Sequence, residues 1–173
     1  MKDLELKLVS ELMKNSRRSD RELAKAIRSS QPTVTRTRRK LEKEAYIGEY
    51  TMIPNFAKLG FGIVALTFVK LKQSLNQNID DIRKQVFERL DTIPLQVTML
   101  ERGIGLGFNG VIVSVHEDYA SFAKLRMWLQ NLDFLDVSET ESFLINLADE
   151  IHYRPLTFAT LAEHLKSRSN RQE

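Results

Sequence analysis

Apolar residues return every three or four positions at the start of the chain: Leu4, Leu8 and Leu12, with Val9 and Met13 beside them, before a polar break at Asn15 and Ser16. That period is helical and predicts a first helix with one buried stripe. Ser19-Asp20-Arg21-Glu22 then fits a capping box, in which the Ser hydroxyl takes an orphan amide and the Glu reaches back to the cap residue. A second helix follows to about Ile27, burying Leu23, Ala24 and Ile27. Arg28 and Ser29 make a tight turn, and Ser30 can cap a third helix. Gln31 and Pro32 fall in its first turn, where the N–H that proline lacks is not needed. Between Thr33 and Glu44, Val34, Thr37 and Leu41 fall three and four apart and face the core. Thr33, Thr35, Arg36, Arg38, Arg39 and Lys40 are left on the other faces.

Beyond this helix the period changes. Tyr46–Ile53 reads as a short strand, a small wing or a hinge, ended by Pro54. Residues 55–60 lead into a run, Gly62–Val69, that is apolar at odd and even positions alike, so both faces of its sheet should be covered. Further strands are expected at Leu95–Glu101, Val111–His116 and Ser138–Leu147. Helices are expected at Ile79–Ile93, contributing Ile79, Ile82, Val86 and Leu90, and at Asp118–Leu132, contributing Phe122, Leu125, Leu129 and Leu132 with Trp128 beside them. A last helix after Asp149 offers Leu156, Leu161 and Leu165 and is expected on a sheet edge or on a dimer partner, ahead of a polar tail.

The fold class is therefore α+β: an N-terminal (winged) helix-turn-helix, then a βαββαβ ferredoxin-like domain with an extra C-terminal helix. The divisions are 1–53 for the helix-turn-helix, 54–61 for a linker, 62–148 for the βαββαβ domain and 149–173 for the last helix and tail. Two helices can cover only one face of a four-stranded sheet. The other face predicts a second copy of the chain packed sheet on sheet about a two-fold axis.

Charge separates the two parts. Of 26 Lys and Arg and 23 Asp and Glu in 173 residues, residues 1–45 hold 13 basic and 7 acidic, so a basic head precedes a mildly acidic body. That is the footprint of a chain that meets a polyanion at one end. The absence of cysteine excludes disulfides, thiolate metal sites and a Cys nucleophile, and three scattered histidines (His116, His152, His164) offer little to a metal. No apolar run approaches the roughly 18 residues of a spanning helix, so the chain reads as a cytoplasmic protein without membrane, metal or cofactor.

The third helix carries the chemistry. A helix entering the major groove needs short hydrogen-bonding side chains at an open N-terminus and long cations flanking it. Ser30, Gln31, Thr33 and Thr35 are the expected contacts to base edges or nearby phosphates of double-stranded DNA. Arg36, Arg38, Arg39 and Lys40 are the expected ionic contacts, with Arg36 placed for a bidentate guanine contact.

Three stretches, Arg21-Glu22-Leu23-Ala24-Lys25-Ala26-Ile27, Ser30-Gln31-Pro32-Thr33-Val34-Thr35-Arg36 and Leu41-Glu42-Lys43-Glu44 running into Tyr46-Ile47, together resemble the Lrp/AsnC, or feast/famine, transcription regulators. The resemblance covers roughly residues 3–147. It implies a non-enzymatic homodimer, often assembled into tetramers or octamers, that binds two-fold-related DNA half-sites. It also implies tuning by a small molecule, commonly an amino acid, between the C-terminal domains. Arg28 stands where that family usually turns on Gly, and Ala45 where Gly often ends the recognition helix, so Arg28 is expected in a left-handed conformation. The family's effector motif is typically a Gly followed shortly by an Asp, whereas residues 103–110 hold no acid. Gly103, Gly105, Gly107 and Asn109 are the effector candidates, acting through the backbone.

These glycines lie between two strands rather than before a helix, which argues for a bulged hairpin and against a phosphate cradle. His116, just before Glu117 and Asp118, is expected at the surface near a helix cap. Two alternatives remain. One is an enzyme like the siroheme decarboxylases, which share this two-domain order, using His116, His152, Arg102 and Arg154. The other is an assembly and ligand-sensing module that no longer binds DNA.

Overall fold

The computed structural model describes residues 1–72, 84, 85, 87–133, 135–151 and 154–169. Helices α1 (Asp3–Lys14), α2 (Asp20–Ala26) and α3 (Gln31–Lys43) precede strands β1 (Ile63–Leu71), β2 (Val97–Gly105) and β3 (Phe108–His116). Helix α4 (Tyr119–Gln130), strand β4 (Leu135–Asn146) and helix α5 (Ala159–Ser169) complete the order, with single 3-10 turns at Ala57–Leu59 and Leu90–Thr92. The chain divides into two compact units, Met1–Pro54 with His152–Glu173 and Asn55–Ile151. Of the helix expected at Ile79–Ile93, residues 79–83 and 86, with Ile79, Ile82 and Val86, lie outside the described residues; residues 84, 85, 87 and 88 are helical, and the 3-10 turn Leu90–Thr92 follows.

In the first unit Leu8, Leu12, Leu23, Ala24, Val34 and Leu41 form the core, with Val9, Ile27 and Ile47 packed against it. Both helices of the helix-turn-helix end the same way. After α2, Ser29 N–H donates to the Ala24 carbonyl at 2.9 Å and Arg28 N–H to that of Lys25 at 3.4 Å, with Arg28 at φ 54°. After α3, Tyr46 N–H donates to Leu41 at 2.9 Å and Ala45 N–H to Glu42 at 3.1 Å, with Ala45 at φ 55°. These are two Schellman closures built without glycine, each costing roughly 1 kcal/mol in left-handed strain.

Two expectations are corrected here. Tyr46–Ile53 pairs in no ladder among the described residues, so the wing strand is not formed. With Gly48 in its middle and Pro54 at its end, the segment has no regular secondary structure and is largely exposed. The last helix, expected on a sheet edge or a partner, instead joins the first unit: Ala162 on α5 is fully buried and its carbonyl accepts the Ser10 hydroxyl of α1 at 2.8 Å. Lys14 and Glu163 add an ion pair at 2.7 Å.

In the second unit the sheet order is β2-β3-β1-β4 with every neighbour antiparallel, the arrangement of a ferredoxin-like domain. Asp118 caps α4 by accepting Ser121 N–H at 2.7 Å. Val69, Ile112 and Leu135 of the sheet pack against Leu125, Leu129 and Leu132. Along β1 burial alternates: Ala65, Thr67 and Val69 are buried, while Val64, Leu66 and Phe68 are only half-buried in the single chain. The glycine run closes the expected hairpin through a two-residue turn, Leu106 (φ 54°) and Gly107 (φ 82°), with a register irregularity between Arg102 and Gly105.

His116 is the third correction. It is fully buried at the end of β3, its Nε2 2.8 Å from Ser114 Oγ, its Nδ1 3.2 Å from Ser121 Oγ, and its ring edge-on to Phe122 at 5.5 Å. Burial pushes its pKa below the usual histidine value, against the opposing charges of Glu117 and Asp118.

Candidate nucleic-acid interface

Helix α3 is fixed from inside by Val34 and Leu41, both fully buried, so the opposite side of the helix must face solvent. Ser30 caps it: its Oγ accepts Thr33 N–H at 3.3 Å and lies 2.7 Å from Thr33 Oγ1. The two hydroxyls close on each other and on the helix end.

Thr35 and Arg38, one turn apart, both turn toward Asp20 at the start of α2. Thr35 Oγ1 donates to Asp20 Oδ2 at 2.6 Å and an Arg38 terminal nitrogen to Oδ1 at 3.0 Å. The Thr35 hydroxyl and then Arg38 hold the Asp20 carboxyl below the ordinary aspartate range despite its partial burial. Arg38 Nε donates to Tyr50 Oη at 2.9 Å and its guanidinium stands 4.6 Å from that ring's centre. Lys40 is paired as well: its Nζ donates to the buried Glu5 carboxylate at 2.7 Å, and Glu44 lies 3.8 Å away. Glu5 is held acidic by Lys40 first and then by the Lys2 amide.

The eight expected contacts therefore separate. Ser30 and Thr33 serve the cap, while Thr35, Arg38 and Lys40 bind within the unit. Gln31, Arg36 and Arg39 are exposed and form no side-chain hydrogen bond or ion pair among the described residues. They line, with Pro32 and one side of Thr35, a single open depression on α3. Arg38 and Lys40, expected as ionic contacts to DNA, also meet carboxylates from α2 and α1 within the unit. Sequence reasoning missed Asp20 and Tyr50; only Asp20's place in the capping box pointed to it.

The effector candidates lie elsewhere. Gly103 and Gly105 face open space, and Ile104 and Leu106, which follow them in turn, are 94% and 85% exposed. Asn109 is occupied, its Oδ1 accepting Leu71 N–H at 3.0 Å. Among the described residues no cluster of His, Asp and Glu is arranged for a metal. No helix among them is long and apolar enough to cross a membrane.

The model of the AsnC-type helix-turn-helix domain matches residues 1–42. The chain thus carries an AsnC-type helix-turn-helix domain at its N-terminal end and is similar to transcription regulators that carry one. It is 33% identical over 105 residues to the uncharacterized HTH-type transcriptional regulator PF2053 of Pyrococcus furiosus, covering 61% of this chain and 66% of that one. It is 35% identical over 71 residues to the regulator LrpC of Bacillus subtilis, covering 41% and 49%. The solved LrpC structure superposes at TM-score 0.63 and 23% identity over 87% of this chain and 96% of that one. The complex of the regulator NMB0573 with L-Met from Neisseria meningitidis superposes at TM-score 0.70 and 16% identity over 93% and 99%. The chain thus spans 66% and 49% of the curated relatives it matches, while the structural likeness, below 25% identity, carries the fold alone.

These relatives are named as regulators rather than enzymes. The decarboxylase alternative also loses its first residue, since His116 is enclosed by Ser114, Ser121 and Phe122 and faces no cleft. His152 lies outside the described residues.

Proposed function

We propose that this protein is a sequence-specific DNA-binding transcription regulator that acts as a two-fold homodimer or a higher oligomer and answers to a small molecule. The observation that carries the DNA reading is the edge of α3 where Gln31, Arg36 and Arg39 stand exposed beside Thr35, on a capped helix within a matched AsnC-type domain. Arg36 would take guanine through its two terminal nitrogens, with Gln31 on a neighbouring base and Arg39 on phosphate. Thr35, its hydroxyl turned to Asp20, has its methyl left for a thymine methyl.

Dimerisation is supported by the half-buried apolar face of β1, and higher assembly by the resemblance to the Lrp/AsnC regulators. Small-molecule control is supported by a structural relative solved as a complex with L-Met. In this chain the backbone of Gly103, Gly105 and Gly107 is the proposed contact, with Asn109 bracing the hairpin.

The test is a random-pool DNA selection on the purified full chain, repeated with amino acids. Enrichment of a two-fold-related sequence is expected, with Arg36→Ala relaxing one base position by about 1–3 kcal/mol. Failure to enrich any such sequence sinks the DNA reading. An enriched site whose affinity no amino acid changes sinks the effector reading alone.

A further inference from the structure

Arg38 is the most heavily engaged cation of α3. Besides its bonds to Asp20 and Tyr50, its Nε lies 3.4 Å from the Glu42 carboxylate one turn on. Tyr50 completes the ring by donating its own hydroxyl to Glu42 Oε1 at 2.7 Å. Burial and the Glu42 bond raise the phenol pKa, so Tyr50 stays a neutral donor at physiological pH. Three pieces of chain meet here: the first turn of α2, the middle of α3 and the irregular segment 46–53, which leads to Asn55 where the second unit begins.

We propose that Asp20, Arg38 and Tyr50 form a latch that sets the rotation of α3 about its axis, with Asp20 and Tyr50 as positioning residues for the reading edge. The proposal rests on the DNA reading above. Thr35 and Arg38 lie on one side of α3 and are drawn to a single carboxylate of α2, which fixes the helix in rotation as well as in depth. Arg36 and Arg39 each directly follow one of them in sequence, about 100° round the helix, so any rotation carries both off the groove together. Tyr50 adds the second tie, and through it the course of the 46–53 segment bears on the reading edge. Opening the latch exchanges a fixed helix for a more mobile one.

This separates from a plain phosphate contact by Arg38. In the full chain, Tyr50→Ala is expected to lower the ratio of specific to non-specific DNA affinity by about tenfold. The slope of log affinity against log salt is expected to stay unchanged, because Asp20 and Glu42 still pair with Arg38. Tyr50→Phe keeps the ring over the guanidinium and should restore part of the ratio, and Asp20→Asn, which keeps the acceptor and loses the charge, should behave like Tyr50→Phe. An unchanged ratio in Tyr50→Ala overturns the proposal. So does Arg38→Ala that flattens the slope by about one unit while keeping the ratio.

A DNA-free measurement distinguishes this from the function itself. Side-chain ¹⁵N NMR should find the Arg38 Nε–H protected in the wild type and exchanging in Tyr50→Ala; rapid exchange in both overturns the latch. A protected Nε–H in a chain that enriches no DNA overturns the DNA reading and, with it, the positioning role.

Discussion

The Ser10 hydroxyl on α1 donates to the Ala162 carbonyl on α5 across 152 residues of sequence, and both residues are fully buried. A serine facing an alanine lets two helices approach closely, and the hydrogen bond satisfies the hydroxyl that the approach buries. Around it, Lys14 is shared between Glu11 and Glu163, and Arg18 pairs with Glu11. The C-terminal helix is thus a fourth helix of the first unit.

Filling the gap should undo this contact. Ala162→Leu forces a larger side chain into a closed site and is expected to cost about 1–3 kcal/mol, while Ser10→Ala removes the bond alone at about 1 kcal/mol. Hydrogen exchange should show residues 159–169 losing protection in Ala162→Leu while the sheet keeps its own. Equal protection of α5 in Ala162→Leu and wild type would refute the packing account.

Glycine at either Schellman position should stabilise the first unit. Arg28 and Ala45 hold φ of 54° and 55°, conformations that favour glycine, so Arg28→Gly and Ala45→Gly are each expected to gain about 0.5–1 kcal/mol net of the extra freedom given to the unfolded chain. Ala45 is the cleaner test, because its substitution removes no charge. A lower midpoint of urea unfolding for Ala45→Gly would show that the strain is absent.

Acid should destabilise the second unit before its carboxylates titrate. His116 has a lowered pKa in the folded state because burial disfavours the imidazolium, so above the ordinary value of 6.5 neither state is protonated and no stability is lost. Below that value the unfolded chain takes the proton first, and stability falls with pH until the folded pKa is passed. Glu117 and Asp136 of the same unit have lowered values instead, so what they contribute is lost only below about pH 4.5. Urea unfolding of the wild type and His116→Gln at pH 7.5 and 5.5 isolates the effect. A smaller pH difference is expected in the variant, and an identical difference would remove His116 as the cause.

Much of this was legible in periodicity and capping signals. Ser19 and Ser30 each cap the helix that the local pattern assigns to them, and Val34 and Leu41 fall on the buried side that their spacing predicts. What failed depended on distance in sequence. The intramolecular partners of Arg38 and Lys40 were not legible, because Asp20 and Glu5 sit 18 and 35 residues away and become neighbours only when the three helices cross. His116 read as a surface residue because acidic neighbours in sequence say nothing of Ser114 and Phe122, which enclose it. The 46–53 segment has strand-like residues, but a strand also needs a partner ladder, and none is supplied within the described chain.

The open face of the sheet gives the last prediction. Register places Met99, Val113, Leu66 and Phe143 in one row across β2, β3, β1 and β4, and Glu101, Val111, Phe68 and Glu141 in the next. Phe143 is 64% exposed and Met99 43%, so the first row is apolar and unburied in the single chain, and the second is flanked by carboxylates at both edges. A contiguous apolar stripe with a charged border is what a self-complementary interface presents, because the centre buries area while the rim excludes mismatched approach. Phe143→Lys places a cation in the apolar row where the single chain has little to lose, so the folded unit should survive and the association should not. Sedimentation at micromolar concentration is expected to give a dimer or larger species for the wild type and a chain of half that mass or less for Phe143→Lys, with circular dichroism unchanged. A variant that keeps the wild-type mass would place the interface on another surface.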